Sequence, residues 1–275
     1  ALGIKSRACL AEGDWDGAFK AAKRVVDEGG YAVGTKSDLT GGMNSLDKQN
    51  VMWGAGIQVA DQAGGYAGFF THMDNKEGAY AKSAPKLISK QLYNRISATD
   101  IRRDWWDPSD KESPYVSKKF SFANVASFLG DYIYMRVEEM YFTAAEAALR
   151  LDDLKSAREL MNTVMAERDP GYSANNRSGT LLGATTTTWT GSFLENILTH
   201  RRIELWGEYG RLFDVRRLGQ GIDRRTDDGF SEECISMMNR RNVNITKADT
   251  YDWVLTIPKA ELDANPNINE EDQNP

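Results

Sequence analysis

Four charged residues in the second half of the chain have a spacing that could support chemistry. Arg201, Glu204, Glu208 and Arg211 would share one face of a continuous helix over about 192–209. Two carboxylates on one face are what a glycoside hydrolase uses to cleave a sugar linkage. Neighbouring arginines favour ionised carboxylates, however, and this suits a structural ion network better than a general acid. We therefore predict an Arg–Glu pair within this set, or a pair with Asp214, and retain catalysis by Glu204 and Glu208 as the alternative.

Histidine and cysteine are too sparse to indicate a metal site or a redox site. The chain has two cysteines, Cys9 and Cys234, and two histidines, His72 and His200, without the spacing of a zinc site. A phosphate loop, a dinucleotide fingerprint and a nucleophile elbow are also missing from the sequence. We therefore expect no metal, no cofactor and no enzymatic activity. Cys9 is expected to be a buried thiol, and the sequence is compatible with either free thiols or a Cys9–Cys234 disulfide.

Acidic residues on the segment that precedes residue 150 form a second charged set. Glu138, Glu139 and Glu146 have arginines close by in sequence, at Arg136 and Arg150 among others. A carboxylate metal cluster would require histidine or a second helix carrying carboxylates, and neither is evident. The sequence therefore favours a solvated or arginine-paired helix face.

Aromatic side chains are concentrated in the glycine-rich stretch 31–130. Sugar rings lie flat on Trp and Tyr rings, so an exposed ring in this stretch could bind a glycan. The candidate rings are Trp53, Tyr66, Phe70, Trp105 and Trp106. The first three have flexible glycine neighbours, and adjacent side chains of an extended segment point to opposite sides, so one ring of the Trp pair should face outward. Any of these rings could instead pin a long loop to the core.

The elements that must position these residues are predicted to be mostly helical. A repeat at an offset of 139 residues predicts antiparallel helix hairpins at about 1–27 and 133–168, with Ala18 and Ala157 at the matched helix crossings. Between them, the aromatic-rich insert 31–130 shows few regular elements: a helix at about 86–97 and a strand at about 115–122. Another short strand is predicted at 252–258. The predicted fold is mostly α, with tetratricopeptide-like hairpins packed with long irregular loops and a few short strands.

Charge and hydropathy exclude two classes of partner. The formal net charge is -6 and the isoelectric point about 5.2, so no large basic surface for nucleic acid is indicated. No apolar run approaches the roughly 18 residues that a membrane helix requires. The chain also opens without a basic and then apolar signal segment.

Three stretches in order along the chain together resemble the SusD/RagB family: 131–147, 199–217 and 262–275. Members of that family are outer-membrane lipoproteins of Bacteroidetes that bind nutrients, usually glycans, beside a TonB-dependent transporter. The resemblance implies that residues 1–275 form the C-terminal portion of a SusD-like domain. It also implies that the N-terminal half of the family, with its lipid anchor, is absent from this sequence.

The resemblance implies a function as well as a fold. The expected role is non-catalytic binding of a nutrient, expected to be an oligosaccharide, at the outer face of the outer membrane, and its delivery to a SusC-like TonB-dependent transporter. One alternative is a glycoside hydrolase or other helical enzyme that uses Glu204 and Glu208. A second alternative, a tetratricopeptide-type peptide-binding scaffold, is disfavoured because more than a hundred residues separate the two hairpins.

Overall fold

A computed structural model describes residues 1–61, 67–183, 189–221 and 256–273, and most of its regular structure is helical. The helices are α1 (Leu2–Glu12), α2 (Trp15–Glu28), α3 (Lys36–Thr40), α4 (Phe69–Met73), α5 (Ala79–Ser83), α6 (Lys90–Tyr93), α7 (Val137–Arg150), α8 (Leu154–Ala166), α9 (Phe193–Glu204), α10 (Arg211–Arg217) and α11 (Lys259–Ala264). The strands are β1 (Val51–Ala55), β2 (Trp106–Asp107), β3 (Val116–Ser117) and β4 (Tyr132–Arg136). The predicted fold class is confirmed. None of the helices in the described ranges is long and apolar enough to cross a bilayer.

Both predicted helix hairpins form, and each has a turn that its sequence explains. Gly13 ends α1 in the left-handed conformation, with φ +79°, and its N–H bonds carbonyl groups of the last helical turn. Asp14 and Asp153 then begin the second helix of their hairpins, each accepting a hydrogen bond from a backbone N–H of the first turn. The matched alanines Ala18 and Ala157 are both completely buried.

The two hairpins lie side by side in space. Helix α2 packs along α7, so the helices follow one another in the order α1, α2, α7 and α8, and α9 also packs against α7. Ala22 of α2 and Ala144 and Ala148 of α7 are fully buried in one apolar cluster, where their small side chains let the helices approach closely. The hairpins therefore contact each other although more than a hundred residues separate them in sequence. That separation is consequently not a valid argument against the peptide-binding alternative.

A two-stranded antiparallel ladder joins the first part of the aromatic-rich insert to the residues that directly follow it. Val51 of β1 pairs with Arg136 of β4, and Ala55 pairs with Tyr132. The carboxylate of Asp131 accepts hydrogen bonds from two backbone N–H groups of the β1 side, at 3.0 Å each. The second hairpin consequently begins at Val137 and not at 133, since the preceding residues are a strand.

The insert has an apolar core of its own. Its buried members are Leu39, Met43, Phe70, Ile88, Leu92, Tyr93, Ile96, Trp105, Trp106, Phe120 and Phe122, and Ile203 of α9 packs with them. The predicted helix over 86–97 is shortened to α6, because Leu87 forms a β-bridge with Val116 and Ser89 caps the helix only afterwards. The predicted strand over 115–122 is reduced to β3, which pairs with β2.

The helix predicted over 192–209 ends at Glu204. Gly207 and Gly210 have φ values of +73° and +111°, which a right-handed helix does not accommodate. A Cβ atom on Gly207 would also lie 2.6 Å from the ring of Phe120. Glu208 therefore lies in a turn between α9 and α10 and not on the helix face with Glu204. The predicted strand over 252–258 falls mostly outside the described residues.

Candidate ligand-binding site

Glu204 lies at the centre of a buried ion network. Its carboxylate accepts hydrogen bonds from the guanidinium groups of Arg102, Arg136 and Arg168, at distances of 3.0–3.1 Å. All four side chains are completely buried. Burial alone would raise the pKa of the Glu204 carboxyl, but the surrounding arginines outweigh it and hold the pKa well below its usual range.

Glu208 is held in the same way at the edge of this network. Its carboxylate accepts hydrogen bonds from Arg136, at 2.8 Å, and from the buried ammonium group of Lys119. Lys119 also donates to the backbone carbonyls of Glu204 and Trp206, at 2.7 and 2.9 Å. Burial lowers the pKa of Lys119 to about 8, with Glu208 opposing the shift. Burial would raise the pKa of Glu208, but Arg136 and Lys119 lower it overall.

The predicted ion pair is confirmed as a pair with Asp214. The prediction that all four charged residues share one helix face is wrong. Arg201 bonds the carboxylate of Asp214 at 3.1 Å. The cations that neutralise Glu204 and Glu208 come instead from other parts of the chain. A general acid must hold a proton at working pH, and these carboxyls have lowered pKa values. The geometry therefore disfavours the hydrolase alternative.

The second acidic set is also paired with arginine, and it is buried. Glu138 bonds Arg168 at 2.8 Å, and Glu139 bonds Arg7 at 2.7 Å. Glu146 bonds Arg150 and Arg217. The arginine-paired form of the sequence prediction is therefore the one observed. Within the described ranges, no group of three His, Cys, Asp or Glu side chains could hold a metal ion.

An aromatic cavity of about 410 Å³ opens beside the ion network. Its lining residues are Arg7, Met43, Trp53, Phe69, Phe120, Tyr132, Ile133, Tyr134, Gly207, Glu208 and Tyr209. Helix α1, the β1–β4 ladder and the turn after α9 supply most of this wall. The ion network fixes that turn, so it holds Glu208 and Tyr209 against the cavity.

The rings at the mouth of the cavity are partly open to solvent. Trp53 is 48% exposed and meets the half-exposed Tyr134 edge to face, with ring centroids 5.1 Å apart. The guanidinium group of Arg7, which also lines the cavity, lies 3.6 Å from the centre of the Tyr209 ring. Arg7 uses Nε and Nη2 to bond Glu139 and the carbonyl of Tyr134, and its Nη1 has no partner in the described part of the chain.

Three of the five predicted rings have no face open to a ligand. Phe70, Trp105 and Trp106 are 2%, 3% and 1% exposed. The expectation that one of the paired tryptophans faces outward was wrong. Trp105 ends a 3₁₀ helix and Trp106 begins β2, so the alternation of an extended segment does not apply to them. Tyr66 lies outside the described residues, which leaves Trp53 as the predicted ring that the structure places at an open site.

Sequence reasoning missed most of the other residues that line the cavity. Tyr132 and Tyr134 lie two positions apart on β4, a spacing that puts two side chains on the same face of a strand. The period-two pattern was a usable signal, but the stretch was interpreted as the start of a helix. Arg7 and Tyr209 had no local signal, because only the packing of α1 against the turn after α9 brings them together.

Comparison with known proteins identifies relatives of this arrangement. A family model described as the SusD family matches residues 107–275. A solved SusD-like carbohydrate binding protein from Bacteroides vulgatus has a TM-score of 0.73 and 26% identity, over 97% of this chain and 58% of that chain. No curated protein matches the chain.

Two further solved structures show a likeness of fold. A SusD superfamily protein from Bacteroides thetaiotaomicron has a TM-score of 0.73 and 22% identity, over 100% of this chain and 59% of that chain. Surface glycan-binding protein A from Bacteroides uniformis has a TM-score of 0.62 and 17% identity, over 99% of this chain and 60% of that chain. The chain therefore spans less than two thirds of the length of these structures.

Proposed function

The chain belongs to the SusD family, and we propose that it is the C-terminal portion of a family-length protein that binds a glycan without cleaving it. One relative is described as a carbohydrate binding protein and another as a surface glycan-binding protein. The proposed protein is a lipoprotein at the outer face of the outer membrane. It would hand its ligand to a SusC-like TonB-dependent transporter.

The observation that carries the proposal is the aromatic cavity around Trp53. Half of the Trp53 side chain is exposed, while Tyr134 supports its ring from one side. A pyranose ring presents a flat face of C–H groups that can lie on such an indole ring. Stacking of this kind does not depend on cleavage chemistry, so a binding site can be formed without a catalytic group.

Polar groups around the cavity can bond sugar hydroxyls. Nη1 of Arg7, for which the described ranges supply no acceptor, can donate a hydrogen bond. The Tyr132 hydroxyl, which accepts from the backbone N–H of Phe69, retains its own hydrogen to donate. Glu208 lines the cavity, and its Oε2, which accepts one hydrogen bond from Arg136, has the capacity to accept another. A few such groups around an apolar surface are typical of a small-molecule site, where they fix the orientation of the ligand.

A binding assay on Trp53→Ala in the family-length protein tests this proposal. A glycan array of plant, microbial and host oligosaccharides would identify the strongest ligand, and calorimetry would then measure its Kd. We expect Kd to rise by about tenfold, equivalent to the loss of about 1.4 kcal/mol of stacking. The unfolding midpoint should change little, because the ring is already half exposed.

The matched control is Tyr80→Ala, which removes another exposed ring, 40% exposed, that does not line the cavity. Its Kd should equal that of the wild type. Unchanged affinity in Trp53→Ala, or an equal loss in both variants, would place the glycan elsewhere.

A further inference from the structure

The inner end of the aromatic cavity is apolar. Met43 and Phe120 are its most buried lining side chains, 7% and 3% exposed, and neither carries a nitrogen or an oxygen. Phe69, which is partly buried, meets the Phe120 ring edge to face with centroids 5.2 Å apart. Because Trp53 at the mouth is half exposed, the lining is least accessible to water at the end formed by Met43 and Phe120.

Met43 is held in the cavity wall by a strained backbone. Its φ value is +51°, in the left-handed region that a residue with a side chain rarely adopts. The carbonyl of Gly42 accepts a hydrogen bond from the N–H of Ser121, at 3.1 Å. The carbonyl of Asn44 accepts one from the N–H of Asp131, at 2.8 Å, so both neighbours of Met43 are fixed. Strained residues persist where their surroundings determine the conformation, and they cluster at ligand sites.

The turn after α9 leaves the inner end uncovered. Gly207 lines the cavity without a side chain, and a Cβ atom there would lie 2.6 Å from the Phe120 ring. A glycine at this position therefore leaves the ring accessible to a small group that enters the cavity.

We propose that the bound glycan carries a methyl group, either of a 6-deoxy sugar or of an acetyl substituent, and that this methyl group packs against Met43 and Phe120. The inference rests on the proposed glycan-binding function and narrows its ligand class. A hydroxyl group at the same place would lose its hydrogen bonds to water, and these two side chains offer no nitrogen or oxygen to replace them. A methyl group gains from leaving water, and the flexible thioether of Met43 can pack around it.

The polar groups of the lining favour an uncharged sugar with its hydroxyls on the remaining ring atoms. Arg7, Tyr132 and Glu208 can each bond a hydroxyl group. The two charges among them are already paired from inside the protein, Arg7 with Glu139 and Glu208 with Arg136. A carboxylate on the sugar would therefore lose its water without meeting an unpaired cation among the described lining residues.

Matched pairs of ligands test the proposal on the family-length wild-type protein. Calorimetry would compare two oligosaccharides that differ only in ending with L-fucose or with L-galactose, which adds a hydroxyl group at carbon 6. It would also compare chitotetraose with cellotetraose, in which a hydroxyl group replaces each acetamido group. We expect the methyl-bearing member of one pair to have a Kd at least about tenfold lower, as is typical of one added carbon in an apolar pocket. The pair that responds distinguishes a 6-deoxy sugar from an acetyl substituent.

A polar inner end should remove this selectivity. Met43→Gln keeps the length of the side chain but places an amide at the inner end, so the ratio of the two Kd values should fall toward one. Met73→Gln is the matched control, because Met73 packs on the same apolar core without lining the cavity, and its ratio should equal that of the wild type. Met43→Leu, which stays apolar, should retain the preference and covers the case in which the glutamine variant does not fold.

The outcomes separate this inference from the glycan-binding proposal. Hydroxyl-bearing members that bind as tightly as their methyl-bearing counterparts, through Trp53, would overturn the methyl assignment alone. Selectivity that survives in Met43→Gln would overturn it as well, and so would a strongest array ligand that has no methyl group. Failure of every glycan on the array to bind would overturn both proposals.

Discussion

At the scale of single residues, Glu204 is neutralised by arginines from distant parts of the chain and not by the arginines of its own helix. Glu204 and Arg201 are three positions apart, yet Glu204 bonds Arg102, Arg136 and Arg168. The sequence indicated the type of interaction correctly, because a buried carboxylate requires a cation. It could not indicate the partners, since the three arginines lie 36 to 102 positions away in the chain.

Replacing Glu204 with Gln should destabilise the protein strongly. The variant would leave three buried guanidinium groups without their shared anion, and breaking a buried pair costs about 3–5 kcal/mol. The measurement is the free energy of unfolding in urea at neutral pH. Glu159→Gln is the control, because Glu159 pairs with Lys155 on the surface with a side chain 67% exposed. We expect a change of less than about 1 kcal/mol for this exposed pair. Equal effects would show that the network does not support the fold.

The same carboxylate should make stability depend on acidity. The arginines hold the pKa of Glu204 well below its ordinary value of 4.5. A lowered pKa contributes stability above the ordinary value, and that contribution is lost as the pH falls through the pKa in the folded protein. The difference in unfolding free energy between wild type and Glu204→Gln should therefore be largest near neutral pH and shrink in acid. A difference that stays constant from neutral pH to strong acid would contradict this assignment.

At the scale of elements, local patterns predicted the helices well and the strands poorly. The hairpins carry a 3.6-residue apolar period and turn residues at Gly13 and Asp153, all of which are readable within a short window. The stretch Tyr132–Arg136 carries only the two-residue spacing of Tyr132 and Tyr134, which is too short to distinguish a strand from the start of a helix. Its strand conformation depends on pairing with Val51–Ala55, about 80 positions earlier. The candidate site was missed for the same reason, since its wall combines α1, this ladder and the turn after α9.

The turn after α9 offers a test at this scale. Gly207 and Gly219 both have positive φ values, +73° and +61°, so an alanine at either position incurs backbone strain of about 1–2 kcal/mol. Among the residues that the structure describes, a Cβ atom at Gly219 would meet nothing within 4 Å, whereas one at Gly207 would meet Phe120 at 2.6 Å. We expect Gly207→Ala to lower the unfolding free energy by about 1–3 kcal/mol more than Gly219→Ala, because the overpacked ring must move. Equal losses would indicate that Phe120 yields without cost.

At the scale of the whole molecule, ion pairs join segments that are far apart in sequence. Arg102 and Lys119 come from the insert, and Arg168 lies just after the second hairpin. These pairs connect the insert and the hairpin stack to the last residue of α9 and to the turn that follows it. We expect the chain to unfold as one cooperative unit.

Two spectroscopic probes can check this cooperativity. Far-ultraviolet circular dichroism reports mainly on the helical hairpins, and tryptophan fluorescence reports strongly on the insert, which holds the buried pair Trp105 and Trp106. Their urea transitions should coincide within error. An insert that melts at lower urea than the helices would show that the ion network does not couple the two. A Lys119→Met variant, which removes one of the linking cations, should be the first to separate the transitions.

The dependence of Glu204 and Glu208 on cations from the insert restricts how this protein family could diversify. A long, irregular segment held by one two-stranded ladder would otherwise be the natural place to graft a new specificity. Here a foreign insert would have to bring its own equivalents of Arg102 and Lys119 to the same two carboxylates, or else leave Arg136 and Arg168 as their remaining cations. A chimera that exchanges this segment between family members should therefore fold only if the new segment also supplies cations for Glu204 and Glu208.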